Sequence, residues 1–211
     1  NPFSGLVDHL ITGPGEEALL SLLGHVAATA GQQVPEYRGL PLQDYLAPGV
    51  IMPYSASSGC YWRRCSFCPE TAENNPFVPI PPKQAATDLS VLTGRHRPIL
   101  VHLLDNAISP ALMEAIIKDP PGVPWHGFAR LGPELADRDF CSALKRSGCV
   151  MLQVGLESGD QDVLDAQHKG IDLRTASQAL ERIHEAGITT YVYLLFGTPA
   201  ETESRARATL E

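Results

Sequence analysis

Pro53 stands inside a strand-like run, Val50 to Ser55, and a proline there limits the sheet this chain can build. Proline has no amide hydrogen to give to a ladder, so the strand that carries it belongs at a sheet edge. From Val50 onward apolar runs alternate with amphipathic segments. Ile99 to Leu104, Trp125 to Ala129, Val150 to Leu156 and Thr189 to Phe196 read as four further strands. Ser109 to Lys118 and about Asp137 to Ser147 read as helices, the second stopped by Gly148. Another helix runs from Ser158, capping with Gln161, to Gly170. Asp172 caps the next, which sets Leu173, Ala176, Leu180 and Ile183 on one face and stops at Gly187. Repeated βα units imply a parallel sheet with right-handed crossovers. The fold class expected is therefore α/β, a partial (β/α)6 TIM-like barrel that stops after its fifth strand. An open barrel has the edge that Pro53 needs.

The first thirty residues read as one strand, Leu6 to Thr12, a break at Gly13-Pro14-Gly15, and one helix opened by Glu16 and Glu17. Leu19, Leu22, Leu23, Val26 and Ala30 recur at helical spacing, and Gly31 is the stop. A lone strand and helix cannot bury themselves, so residues 1–31 are expected to be the tail of a preceding α/β domain. Residues 32–49, with Pro35, Gly39, Pro41 and Pro48, read as a linker, and 50–211 as the main body. The chain starts at Asn1 and stops at Glu211 inside a helix-like stretch, and it is read as a fragment.

Composition excludes several functions. The formal charge is −8, and Arg63-Arg64 with Arg95-His96-Arg97 are the only basic tracts, so a broad nucleic-acid surface is disfavoured. No run of eighteen apolar residues exists to span a membrane. Five cysteines is an odd count, with three clustered, which suits metal-binding thiols in a reducing compartment such as the cytoplasm.

Those three, Cys60, Cys65 and Cys68, sit in GCYWRRCSFCPE directly after the first strand. Three thiolates can hold an iron–sulfur cluster and leave one iron without a protein ligand. A zinc site wants a fourth ligand, which Cys141 or Cys149 would have to bring from far along the chain. Both of these read better as small buried hydrophobes. In parallel barrels functional side chains gather at the C-terminal strand ends, which here hold Asp105-Asn106, Arg130, Glu157-Ser158 and Gly197-Thr198. Each also has a plainer use: Asp105 or Ser158 as helix caps, Arg130 in a surface ion pair, Gly197 and Pro199 in a turn.

Over about Val50 to Glu211 the chain resembles the radical S-adenosylmethionine (radical SAM) superfamily. Cys60, Cys65 and Cys68 look like its cluster ligands, and Phe67 like the aromatic before the last cysteine that lies near the adenine. VGLESGDQDVLDAQHKG resembles the family's fourth strand and helix, and AGITTYVYLLFGTPAET its fifth strand. LVDHLITGPGEEALLSLL is similar to the end of the cobalamin-binding domain that precedes the barrel in many members. Three features depart from the pattern. Four residues, Tyr61 to Arg64, separate the first two cysteines where three are usual. The glycine-rich end of the second strand reads LLDNA, so Asp105 takes the place facing the cofactor's amino group. The Asp-x-His-x-x-Gly signature of a cobalamin ligand loop is absent.

The resemblance implies a 4Fe–4S cluster on the three cysteines whose open iron chelates S-adenosylmethionine. One electron then breaks the S–C5′ bond, giving methionine and a 5′-deoxyadenosyl radical that takes a hydrogen atom from substrate. Arg130 would meet the methionine carboxylate, Glu157 or Ser158 the ammonium or ribose hydroxyls, and Leu195 to Gly197 the adenine, with Glu201 holding the following turn. No side chain is assigned as a catalytic acid, base or nucleophile. Flavodoxin or ferredoxin would be the one-electron donor, and a full-length protein could add cobalamin for methyl transfer or rearrangement. The substrate stays open. So does a rival reading, a binding module stabilised by zinc or a structural iron–sulfur site with no turnover.

Overall fold

The structure, a computed structural model, describes residues 3, 5–11, 15–25, 34–42 and 44–210. The chain divides into two compact units, residues 1–35 and 36–211. In the first unit α1 (Glu16–Leu22) forms where a helix is expected. The strand expected over Leu6 to Thr12 does not form in residues 6–11. There the Leu6 amide closes a turn on the Phe3 carbonyl at 3.0 Å, and among the described residues no strand pairs with the segment. Thr12, Val26, Ala30 and Gly31 lie outside the described residues.

The second unit begins with β1 (Ile51–Tyr54), β2 (Ser57–Ser58), α2 (Pro69–Ala72), β3 (Val78–Pro79) and α3 (Pro82–His96). It continues with β4 (Leu100–Leu103), α4 (Pro110–Lys118), β5 (Trp125–Ala129), α5 (Arg138–Arg146) and β6 (Cys149–Glu157). α6 (Gln161–Ala166), α7 (Leu173–Glu185), β7 (Thr189–Leu194) and α8 (Glu203–Leu210) complete it. β1-β4-β5-β6-β7 form one open parallel sheet in that order. β1 is an edge strand, as Pro53 requires, and the Pro53 carbonyl accepts from the hydroxyl of buried Tyr37.

Alternation along the strands sorts the two faces. Met52, Tyr54, Val101, Leu103, Leu152 and Val154 are fully buried beneath the helices, with Leu89, Ile116, Leu144 and Leu164 in the same core. The opposite face carries His102, His126, Phe128, Gln153, Tyr191 and Tyr193. His102 and His126 stack there with ring centroids 4.2 Å apart. Burial pushes both imidazoles below their usual pKa, and a neutral pair can stack without charge repulsion.

The caps show which helix starts were legible. Ser109, Asp137 and Asp172 each accept an amide from the first turn of their helices; the cap at Asp172 is the one expected, and the other two stand where the expected helices begin. α6 is capped by Asp160, which accepts from Val163 N at 3.1 Å, and not by Ser158. Ser158 Oγ instead accepts from Asp160 N, one step before the helix. α3 is absent from the sequence reading because its buried positions are mostly small or polar: Ala85, Ala86, Asp88 and Thr93 accompany Leu89 and Leu92.

Gly127 on β5 packs closely against β4 and the loop that leads into α4. A Cβ there would stand 2.8 Å from the Leu103 carbonyl oxygen and 2.8 Å from Ile108 Cδ1. Gly127→Ala should therefore cost about 1–3 kcal/mol by overpacking. Urea unfolding should show a lower midpoint at constant slope; an unchanged midpoint would mean that the strand and Ile108 separate freely.

Candidate functional site

The site begins at a buried carboxylate. Asp105, just past β4, accepts from Ala56 N at 3.1 Å and from Ser57 Oγ. Burial raises its pKa, and these same bonds oppose the rise. They pin the corner where the chain leaves β1. Gly59 (φ +71°) then turns the backbone so close to the Pro76 carbonyl that no Cβ could fit. The β2–β3 pair closes the loop behind it, with Ser57 opposite Pro79 and Ser58 opposite Val78.

Inside that loop Cys60, Cys65 and Cys68 line one cavity of about 310 Å³ at the C-terminal ends of β5 and β6. All three thiols are free, Cys65 buried and the others half-buried. Burial pushes the Cys65 thiol up, while the positive charges of Lys169 and Arg130 pull it down. Phe67, Arg130, Glu157 and Tyr193 share the cavity wall.

Arg130, just past β5, donates from Nη2 to the Lys169 carbonyl at 2.7 Å and lies 4.0 Å from the Trp62 ring centroid. Glu157 ends β6 in the left-handed region, φ +71°, where the register against β7 shifts between Gly155 and Glu157. That backbone costs a residue with a side chain about 1–3 kcal/mol, so the surroundings must hold it. They do so from two sides. Lys169 Nζ meets Glu157 Oε1 at 2.8 Å, with the two side chains 9% and 13% exposed, and Leu195 N donates to the Glu157 carbonyl at 2.9 Å.

Of the residues singled out from sequence, Cys60, Cys65, Cys68, Phe67, Asn106, Arg130 and Glu157 come together on the cavity. The others do not line it. Asp105 holds the β1 corner. Ser158 is fully buried, with its hydroxyl 3.3 Å from Thr209 Oγ1 of α8, because the chain turns inward there to reach α6. Leu195 supports Glu157 through its amide, and Glu201 accepts from Gly197 N, which closes the turn after β7. Sequence reasoning missed Lys169 and Trp62. Nothing local distinguishes a lysine after a short helix from a surface lysine; its burial arises only when that turn folds onto β6. A larger hollow, about 460 Å³ between α3 and α4, is lined by Ala86, Ala111 and Ala115 and holds no thiol.

Cys141 and Cys149 are buried, with thiols raised to about 11 and about 12 by desolvation, and Cys149 starts β6 at the end opposite the cavity. Neither can complete a four-ligand zinc site with the loop. Among the described residues no group of three or more His, Cys, Asp or Glu is arranged to hold a metal ion. Three thiols spaced around a cavity, beside two cations, suit a polynuclear cluster that takes one iron to each thiolate.

Residues 54–211 match the family described as the Radical SAM superfamily. An uncharacterised methyltransferase of Pyrococcus horikoshii is 24% identical, covering 84% of this chain and 40% of the relative. The anaerobic magnesium-protoporphyrin IX monomethyl ester cyclase of Rubrivivax gelatinosus is also 24% identical, covering 93% and 42%. The chain thus spans about two fifths of the length of these curated relatives. Among solved structures, the radical S-adenosylmethionine methyltransferase TsrM from Kitasatospora setae, with cobalamin and a [4Fe-4S] cluster bound, superposes with a TM-score of 0.64 at 22% identity. That match covers 77% of this chain and 34% of TsrM. The cobalamin-dependent S-adenosylmethionine radical enzyme OxsB gives 0.60 at 16% identity, covering 75% of this chain and 25% of OxsB. At these identities the likeness shows a shared fold.

The Lys169–Glu157 pair generates a stability test. Removing one member of a buried pair strands the other charge, so Lys169→Met should cost about 3 kcal/mol. Adding Glu157→Gln should recover part of that loss in urea unfolding. Additive losses in the double variant would show that the two side chains act independently.

Proposed function

The chain belongs to the radical SAM superfamily, and from that premise we propose that it holds a 4Fe–4S cluster on Cys60, Cys65 and Cys68. With it the protein would cleave S-adenosylmethionine reductively to a 5′-deoxyadenosyl radical. The observation that carries this reading is the convergence of three free thiols, an arginine and a glutamate on one cavity at the ends of a parallel sheet. When bound, the cluster supplies one electron to the sulfonium and an iron with no protein ligand.

The chain's own part is binding and orientation. Lys169 and Arg130 offset the negative charge that three thiolates bring into a half-buried space. Arg130 commits one N–H to the Lys169 carbonyl and keeps further donors of its fork for the methionine carboxylate. Glu157 gives one oxygen to Lys169, which leaves the second for the ammonium. Phe67, 41% exposed, offers its ring as a flat surface to the adenine, and the chain from Leu195 to Gly197 would frame the base. Asp105, Ser158 and Glu201 serve by holding the corners from which these groups project.

Likeness to cobalamin-dependent enzymes supports cobalamin as a second cofactor of a longer protein, and methyl transfer or rearrangement as the reaction on a substrate still to be found. Flavodoxin or ferredoxin would deliver the electron, in the cytoplasm. Among the described residues no helix is long and apolar enough to cross a membrane.

Anaerobic reconstitution should yield about four irons and four sulfides per chain. Alanine at Cys60, Cys65 or Cys68 should abolish that uptake, and alanine at Cys141 or Cys149 should not. Arg130→Ala should weaken S-adenosylmethionine binding by about ten- to a hundredfold, as expected for losing a charge-assisted bidentate partner, with iron content unchanged. Electron paramagnetic resonance of the reduced protein decides the matter. A spectrum that saturating S-adenosylmethionine leaves unaltered would overturn the assignment.

A further inference from the structure

The four-residue interval between Cys60 and Cys65 has a use of its own. Arg63 within it adopts φ +49°, and Trp62 lies against the turn that follows α6. Three successive carbonyls of that turn accept hydrogen bonds. Gln167 O receives Ser66 N at 2.9 Å, His168 O receives Trp62 Nε1 at 3.1 Å, and Lys169 O receives Arg130 Nη2 at 2.7 Å. His168 (φ +53°) and Gly170 (φ +63°) are both left-handed, and a Cβ on Gly170 would occupy the place of the indole ring. The cysteine loop and the end of β5 are thus tied to one short turn. Trp62 touches both.

A guanidinium plane held only at its edge, here by the Lys169 carbonyl and the Tyr61 hydroxyl beside it, can still tilt. The Trp62 ring, 4.0 Å from the Arg130 guanidinium carbon, gives that plane a further support. We propose that Trp62 is a positioning residue whose indole face holds Arg130 in the orientation that receives the carboxylate of S-adenosylmethionine. This rests on the role given to Arg130 above. It makes the longer cysteine interval a device for carboxylate binding as well as for the cluster.

The test is a double-mutant cycle on the reconstituted protein, titrated with S-adenosylmethionine. Trp62→Ala should weaken binding about three- to twentyfold, and Trp62→Phe, which keeps a ring face but loses the bond to His168, should restore most of it. In an Arg130→Ala background Trp62→Ala should change nothing further. In cluster-free protein, phenylglyoxal should modify Arg130 faster in Trp62→Ala than in Trp62→Phe, read by mass spectrometry. If Trp62→Ala blocks iron uptake, Trp62→Leu set against Trp62→Phe makes the same comparison at similar volume. Losses that persist in the Arg130→Ala background, or an equal loss from Phe and Ala, would mean a structural role and overturn the proposal. If Arg130→Ala alone leaves binding unchanged, the carboxylate role of Arg130 itself falls, and the platform with it.

Discussion

Lys169 holds the cavity with two different parts of itself. Its ammonium is buried against Glu157, 2.8 Å away, and 5.7 Å from the centre of the Phe67 ring, while its carbonyl accepts from Arg130. One residue therefore fixes an anionic group, a cationic group and an aromatic wall. Desolvating an ammonium is costly, and the Glu157 carboxylate is what offsets it. Glu157 in turn sits in a backbone conformation that it would not adopt unsupported. Each half of the pair needs the other, and the rim of the sheet is set by that dependence.

The electrostatics of the cavity follow from the same arrangement. Burial is the largest effect on the Cys65 thiol, as on Cys141 and Cys149, and pushes all three up. Lys169 and Arg130 supply opposing charge at Cys65. A thiol deep in the core is a small hydrophobe; a thiol between two cations is a ligand in waiting.

Much of this was legible in the residues because it is local. Pro53 announced an edge strand, Asp137 and Asp172 announced helix starts, and the cysteine spacing announced the loop. Arg130 and Glu157 could be placed from strand ends alone. What could not be read depends on distant contacts or weak contrast. Trp62 meets His168 across 106 positions of sequence, and Lys169 gains its burial only from the fold of the turn after α6. α3 hid because alanines and a buried aspartate do not announce a core face; Asp88 is satisfied there by Tyr54 and Gln84. Ser158 misled for the opposite reason. It is a cap-forming residue used two positions too early, with Asp160 in the capping place.

The two borders of the sheet are chemically unequal. Along β1, Pro53 has no amide to offer and its carbonyl is already taken by Tyr37. Along β7, six residues from Thr189 to Leu194 present an outer row of backbone donors and acceptors that no other strand meets among the described residues. Lateral growth of this sheet is therefore directional. A strand arriving from another segment or another molecule finds one border sealed and the other adhesive, and it can extend the curve only past β7.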